Sequence, residues 1–241
     1  MYKMIAVDLD GTMLNRYGIV TEDTKNKIKE TIANGTDVII ASGRPIDSIK
    51  TIAKEIGSNN YFIAGNGSLI YDIKKDEIIY EKFLDKQKIL EIIDICENNS
   101  ISYNIYTEET ILAKKLEYNV LYYYKENLKK EEKNKTNITI VENMKKYIKD
   151  SQNDKFLKLT ICDESKAIFN SIIRKLREIN NIDVLDVGHM SRKTIRQGTE
   201  DVSIEYYYTE ISLKDVDKWN AIEYLINKLN INKEEVIAIR R

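Results

Sequence analysis

Proline occurs once in the 241 residues, histidine once, tryptophan once and cysteine twice. One proline and nine glycines exclude collagen-like repeats, proline-rich linkers and low-complexity tails. Cys96 and Cys162 are too few for a disulfide framework, and unpaired thiols suit a reducing compartment. The lone His189 removes every mechanism built on a histidine cluster. A Ser-His-Asp hydrolase would also need a G-x-S-x-G elbow, which the chain lacks. No G-x-G-x-x-G follows the first apolar run, which argues against a dinucleotide-binding Rossmann protein. No run approaches the roughly 18 apolar residues of a membrane span. The N-terminus, MYKMIAVDLDGT, is too short in its apolar part for a signal peptide, so the expected location is cytoplasmic. Neither sign of charge dominates: 38 Lys and Arg face 39 Asp and Glu. That balance gives no general pull toward nucleic acid or anionic membrane, and neither is an expected partner.

What is present suits a globular chain of two domains. Hydrophobic residues make up 42% and charged residues 32%. Residues 3–9 read as a buried strand, broken at Asp10-Gly11-Thr12. Thr21 is placed to cap a helix that Asn34-Gly35 ends. Val38–Ala41 is a second strand, ending at Ser42-Gly43-Arg44-Pro45. A helix with Ile46, Ile49, Ile52 and Ile56 stops at Gly57. Tyr61–Ala64 is a third strand, followed by Gly65-Asn66-Gly67. This alternation predicts right-handed crossovers and a parallel sheet. Ligands of such sheets bind beyond the carboxyl ends of the strands, where all three polar clusters fall.

The grammar then changes. A hairpin is expected at 69–80, helices near 85–98, 116–130 and 164–180, and strands at 101–106, 110–113, 157–161 and 182–187. This reads as an α+β insertion over 83–200 within a core formed by 1–82 and 201–241. In the second core part, 202–212 reads as a strand, 217–229 as a helix and 235–239 as a buried strand. The fold class is therefore α/β, a Rossmann-like parallel-sheet core with an inserted α+β domain.

Four clusters could carry chemistry. In Asp8-Leu9-Asp10-Gly11-Thr12 the i, i+2 spacing points two carboxylates to one side of an extended chain. An EF-hand is excluded because Ile19, not Glu, stands at the twelfth position from Asp8. Ser42-Gly43-Arg44 taken alone reads as a strand-to-helix turn, which Ser and Gly make in any case. Arg44 is either a phosphate contact or a surface charge. Asn66-Gly67 is either a bare turn or part of the site. Lys218 falls in the first turn of a helix, a poor place for a cation in the helix field.

These clusters together resemble the haloacid dehalogenase-like superfamily, and within it the Cof-like branch. The first cluster matches its D-x-D-x-T motif. The resemblance implies that Asp8 is the nucleophile and Asp10 the general acid/base. It implies a Mg²⁺ held by the Asp8 carboxylate and the Asp10 backbone carbonyl. Ser42, Gly43, Arg44, Asn66, Gly11 and Thr12 would surround the phosphate, and Lys218 would bridge Asp8 and the phosphate. Trp219, where the family usually has Gly, would either crowd the site or pack on the core. The insertion resembles the family's type II cap, to which Tyr122–Tyr124 and Tyr206–Tyr208 could contribute a face.

The implied activity is a Mg²⁺-dependent phosphatase of small phosphorylated metabolites such as sugar phosphates. The family's fourth motif, a Gly-Asp and a further Asp, would follow 236–239, where this sequence reads Arg240-Arg241. The alternative is therefore an impaired or truncated phosphate-binding protein on the same fold. The strand at 235–239 would then be a sheet edge, giving either a monomer frayed at 235–241 or a weak homodimer.

Overall fold

A computed structural model describes residues 2–15, 18–128, 135–186, 191–197 and 200–240. His189, Arg241 and most of the charged stretch 129–135 lie outside the described residues. The chain divides into two units, Met1–Lys82 with Asp215–Arg241, and Phe83–Lys214.

The first unit begins with β1 (Met4–Val7), α1 (Glu22–Ala33), β2 (Asp37–Ala41), α2 (Ile46–Ile56) and β3 (Tyr61–Ala64). The hairpin β4 (Leu69–Asp72) and β5 (Glu77–Glu81) closes this part. Local signals explain the boundaries. The Thr21 hydroxyl accepts the Thr24 N–H and starts α1. Gly57, at φ 77°, takes the left-handed conformation that ends α2.

The second unit contains α3 (Lys86–Asn98), β6 (Ser102–Thr107), β7 (Ile111–Ala113), α4 (Tyr118–Asn127), β8 (Ile138–Ile140) and α5 (Met144–Asp150). It continues with β9 (Phe156–Asp163), α6 (Lys166–Leu176), β10 (Ile182–Val184), β11 (Ser191–Gln197) and β12 (Glu200–Leu213). The chain then returns to the first unit with α7 (Lys218–Lys228) and β13 (Val236–Ile239).

The core sheet runs β13-β1-β2-β3-β4-β5. Its first four strands are parallel, and β4 and β5 are antiparallel. Met4, Ala6, Ile39, Ala41, Ile63 and Ile70 pack beneath Ala221, Ile222, Leu225 and Ile226 of α7. These helix positions recur at the spacing of one helical face, and their burial fixes the helix on the sheet.

The sheet of the second unit runs β10-β12-β9-β6-β7-β8, with β11 paired to β12. It is antiparallel apart from the parallel pair β7–β8. One face is covered by α3, α5 and α6 through a core that includes Ile92, Met144, Phe169, Leu159 and Ile161. Tyr206 is fully buried and donates to Asn119; Tyr207 packs at this core against Phe169. Those two tyrosines serve packing.

Two expectations are corrected. The strand near 202–212 belongs to the inserted unit, not to the resumed core. Its residues Tyr207–Ile211 pair with β9, and Ile211–Leu213 pair with β10, so the boundary falls at Lys214 rather than at 200. Likewise, β13 is not a buried strand. It pairs with β1 along its whole length and lies at the sheet edge, the second of the two expectations for 235–239, with Ala238 and Ile239 exposed. An apolar run reads the same whether a strand has one neighbour or two. Among the described residues, no helix is long and apolar enough to cross a membrane.

Candidate active site

Asp8 stands where the central strand ends. β1 is paired on both sides, and the Asp8 N–H still donates to Ile239 C=O at 3.0 Å. The residue is therefore held by the sheet while its side chain is beyond it. The chain leaves through a wide turn, closed by Met13 N–H to Asp8 C=O at 3.1 Å and Leu14 N–H to Leu9 C=O at 2.9 Å. Leu9 and Met13 are buried and anchor this turn. Gly11 carries it through φ 78°, where a side chain would be strained but not crowded. Thr12 is half-buried in the same turn.

Asp8 Oδ1 accepts two hydrogen bonds, from Leu9 N–H at 2.9 Å and from the Lys218 ammonium at 2.7 Å. The second joins residues 210 apart in sequence. Lys218 is the first residue of α7, and Asp217 caps that helix by accepting the Asn220 N–H at 2.7 Å. The anionic Asp8 offsets the unfavourable place of this cation at a helix N-terminus.

A feature unmarked by charge or periodicity sets the start of α7. A Cβ on Gly67 would come within 2.1 Å of the Asp217 carbonyl oxygen and 3.0 Å of the Lys218 nitrogen. Gly67 also has φ 106°. Only glycine allows the turn after β3 to press against the backbone that carries Lys218. Trp219 stays clear of crowding the site: it packs half-buried on the core, with Lys233 Nζ 4.7 Å over its ring.

The turns after β2 and β3 are tied together. Ser42 N–H donates to Ile63 C=O, Asn66 N–H to Ser42 C=O, and Gly65 N–H to Arg44 C=O, at 2.9, 3.0 and 3.2 Å. Asn66 sits at φ 58°, and a Cβ on Gly43 would lie 2.5 Å from its Oδ1. Ser42 is fully buried, and its Oγ accepts the Arg44 N–H at 3.2 Å. The serine thus holds its own turn in place.

Arg44 pairs with a residue 34 positions away on another turn. Its Nη2 and Nε donate to the two carboxylate oxygens of Asp10, at 2.7 and 3.1 Å. Its Nη1 reaches Ser48 Oγ at 3.4 Å. The contacts therefore run Lys218–Asp8 on one side and Asp10–Arg44–Ser42–Asn66 on the other, joined by the turn between Asp8 and Asp10.

Among the described residues, no three His, Cys, Asp or Glu side chains gather into a metal cluster. The turn nevertheless suits a hard cation. Both hydrogen bonds to Asp8 use Oδ1, which leaves Oδ2, and the Asp10 carbonyl lies two residues on. Two oxygen donors are a fitting set for Mg²⁺, which commonly keeps several waters and takes other ligands from a bound phosphate.

A family model described as haloacid dehalogenase-like hydrolase matches residues 5–239. A protein of Streptococcus pyogenes serotype M6, provisionally named a phosphatase, is 26% identical over 98% of this chain and 80% of its own length. The crystal structure of a haloacid dehalogenase-like hydrolase from Bacteroides thetaiotaomicron superposes with a TM-score of 0.73 at 22% identity. It covers 100% of this chain and 82% of that one. A subclass IIB sugar phosphatase superposes with a TM-score of 0.68 at 15% identity, over 98% of this chain and 79% of its own. The likeness to both structures is one of fold: an α/β core with an inserted cap.

Proposed function

From the premise that the chain belongs to the haloacid dehalogenase-like hydrolase family, we propose that it is a phosphatase of small phosphorylated metabolites. Sugar phosphates are the substrate class we favour, with transfer through a phosphoryl group on Asp8. The observation that carries this reading is the 2.7 Å contact between Lys218 and Asp8. A lysine that touches the nucleophile can also neutralise the phosphate that the nucleophile attacks.

In the first step an Asp8 oxygen forms a bond to phosphorus as the bond to the leaving oxygen breaks. The leaving oxygen keeps that electron pair and takes a proton from Asp10. In the second step water bonds to phosphorus and the Asp8–phosphorus bond breaks. Asp10 takes the proton that the water gives up. Lys218 balances the anionic charge through both steps. The Gly43 N–H and the Ser42 hydroxyl, whose oxygen accepts the Arg44 N–H and whose proton remains to donate, would face the phosphoryl oxygens, with Arg44 and Asn66 beside them and Gly11 and Thr12 closing the opposite turn. A Mg²⁺ held by Asp8 and the Asp10 carbonyl would supply further neutralisation of charge between carboxylate and phosphate.

The test is turnover of p-nitrophenyl phosphate and of a sugar phosphate panel, with and without Mg²⁺. Release of inorganic phosphate that is lost in Asp8→Asn is the expected result. Equal turnover in that variant would reject Asp8 as nucleophile.

A further inference from the structure

The Arg44 guanidinium has three nitrogens, and each has a protein partner: two on Asp10 and one on Ser48. Its place beside the phosphate-holding turn suits it to bind an anion. Yet its best-formed hydrogen bonds go to the carboxylate two residues beyond Asp8. Both Asp10 oxygens accept from Arg44, which fixes the orientation of the carboxylate on the arginine side of the turn. The same side chains cannot keep this fork-to-fork geometry and also serve a substrate.

Resting on the phosphatase reading, we propose that Arg44 is a positioning residue shared between Asp10 and the substrate. In the ligand-free protein it holds the Asp10 carboxylate at the rim of the site. An arriving phosphate monoester draws the guanidinium to its own oxygens, and the released carboxylate turns to the leaving group. Arrival of a phosphate and release of Asp10 are then one exchange of partners.

The exposure of the two side chains suits such an exchange. Asp10 is 63% exposed and Arg44 32%. An ion pair in that setting is worth little enough to give way, although its bidentate geometry makes it firmer than a simple surface contact. Lys218 and Asp8, at 22% and 13%, are more enclosed. The more exposed of the two pairs is therefore the one that would open when the substrate enters.

The test is a double-mutant cycle on the binding of inorganic phosphate, with Mg²⁺ held constant. Isothermal titration would compare the unmodified chain, Asp10→Ala, Arg44→Ala and the double variant. Removing Asp10 frees Arg44, so phosphate should bind about three- to tenfold tighter in Asp10→Ala, the range expected for a partly exposed bidentate pair. In the Arg44→Ala background the same substitution should gain less than about twofold, the residue of lost charge repulsion. In the unmodified chain, the Nε–H resonance of Arg44 should move as phosphate is added. An equal gain in both backgrounds, or weaker binding in Asp10→Ala, would overturn the exchange. No phosphate binding by any of the four proteins would reject the phosphatase reading itself, and the exchange with it.

Discussion

A side-chain carbon added to Gly67 would lie 2.1 Å from the carbonyl oxygen of Asp217. The obstacle is backbone, so nothing can rotate aside. Asp217 caps α7, and the next residue is the lysine that contacts Asp8. Gly67→Ala should therefore push the start of α7 away and open the Lys218–Asp8 contact. Overpacking and a positive φ each cost about 1–3 kcal/mol. The expected outcome is a lower melting temperature together with loss of most phosphatase activity. Gly35→Ala is the control, because Gly35 has φ 88° with open space around it. It should lose stability through backbone strain alone and keep its activity.

Asp8→Asn keeps an oxygen for the Leu9 N–H but removes the charge that faces Lys218. Hydrogen bonds to charged groups contribute about 1.5–3 kcal/mol, so the variant should fold with altered stability of that order at most. Phosphate release should fall below detection, since an amide cannot serve as nucleophile. Circular dichroism and an aryl phosphate assay on one preparation check both parts. Brisk turnover in a folded Asp8→Asn protein would reject the covalent route.

Two sequence signals point to residues that the structure brings into contact, Asp8 and Lys218. D-x-D-G-T follows an apolar run, and a lysine in a first helical turn is a local misfit that asks for a partner. The misfit is resolved by Asp8, across 210 residues. Gly67 was not legible as a positioning residue. Nothing local distinguishes a glycine needed for a turn from one needed for close approach to a distant backbone. Nor was the Asp10–Arg44 pair, since charges on separate loops meet through topology that one sequence does not state. The strand read at 202–212 forms within Glu200–Leu213 but belongs to the inserted unit and not to the core, because periodicity gives a strand its faces and not its neighbours.

The two thiols give a simple chemical prediction. Cys96 and Cys162 are both buried. Burial pushes the Cys162 thiol up to about 12, and it raises the Cys96 thiol as well. A folded-state value raised above the ordinary one keeps each group as the neutral thiol at neutral pH, and the thiolate is the reactive form. Ellman's reagent should thus find almost no reactive thiol in the native chain and both on unfolding in guanidinium. Rapid native labelling of either cysteine would contradict the packing of α3 or β9.

The inserted unit gives the last prediction. It has its own apolar core, formed by α3, α5 and α6 on one face of its sheet. A segment with its own core can fold apart from the rest of its chain. Residues 83–214 expressed alone should unfold cooperatively and show dispersed amide resonances. Residues 83–200 should not. That shorter fragment loses the part of β12 that pairs with both β9 and β10. It also loses Ile211, which is fully buried in the core. Deleting one such side chain to alanine costs about 2–5 kcal/mol, and losing the strand removes several together with the backbone ladder. Since small domains carry only about 5–15 kcal/mol in all, the shorter fragment should remain unfolded. Two equally folded fragments would return the boundary to residue 200.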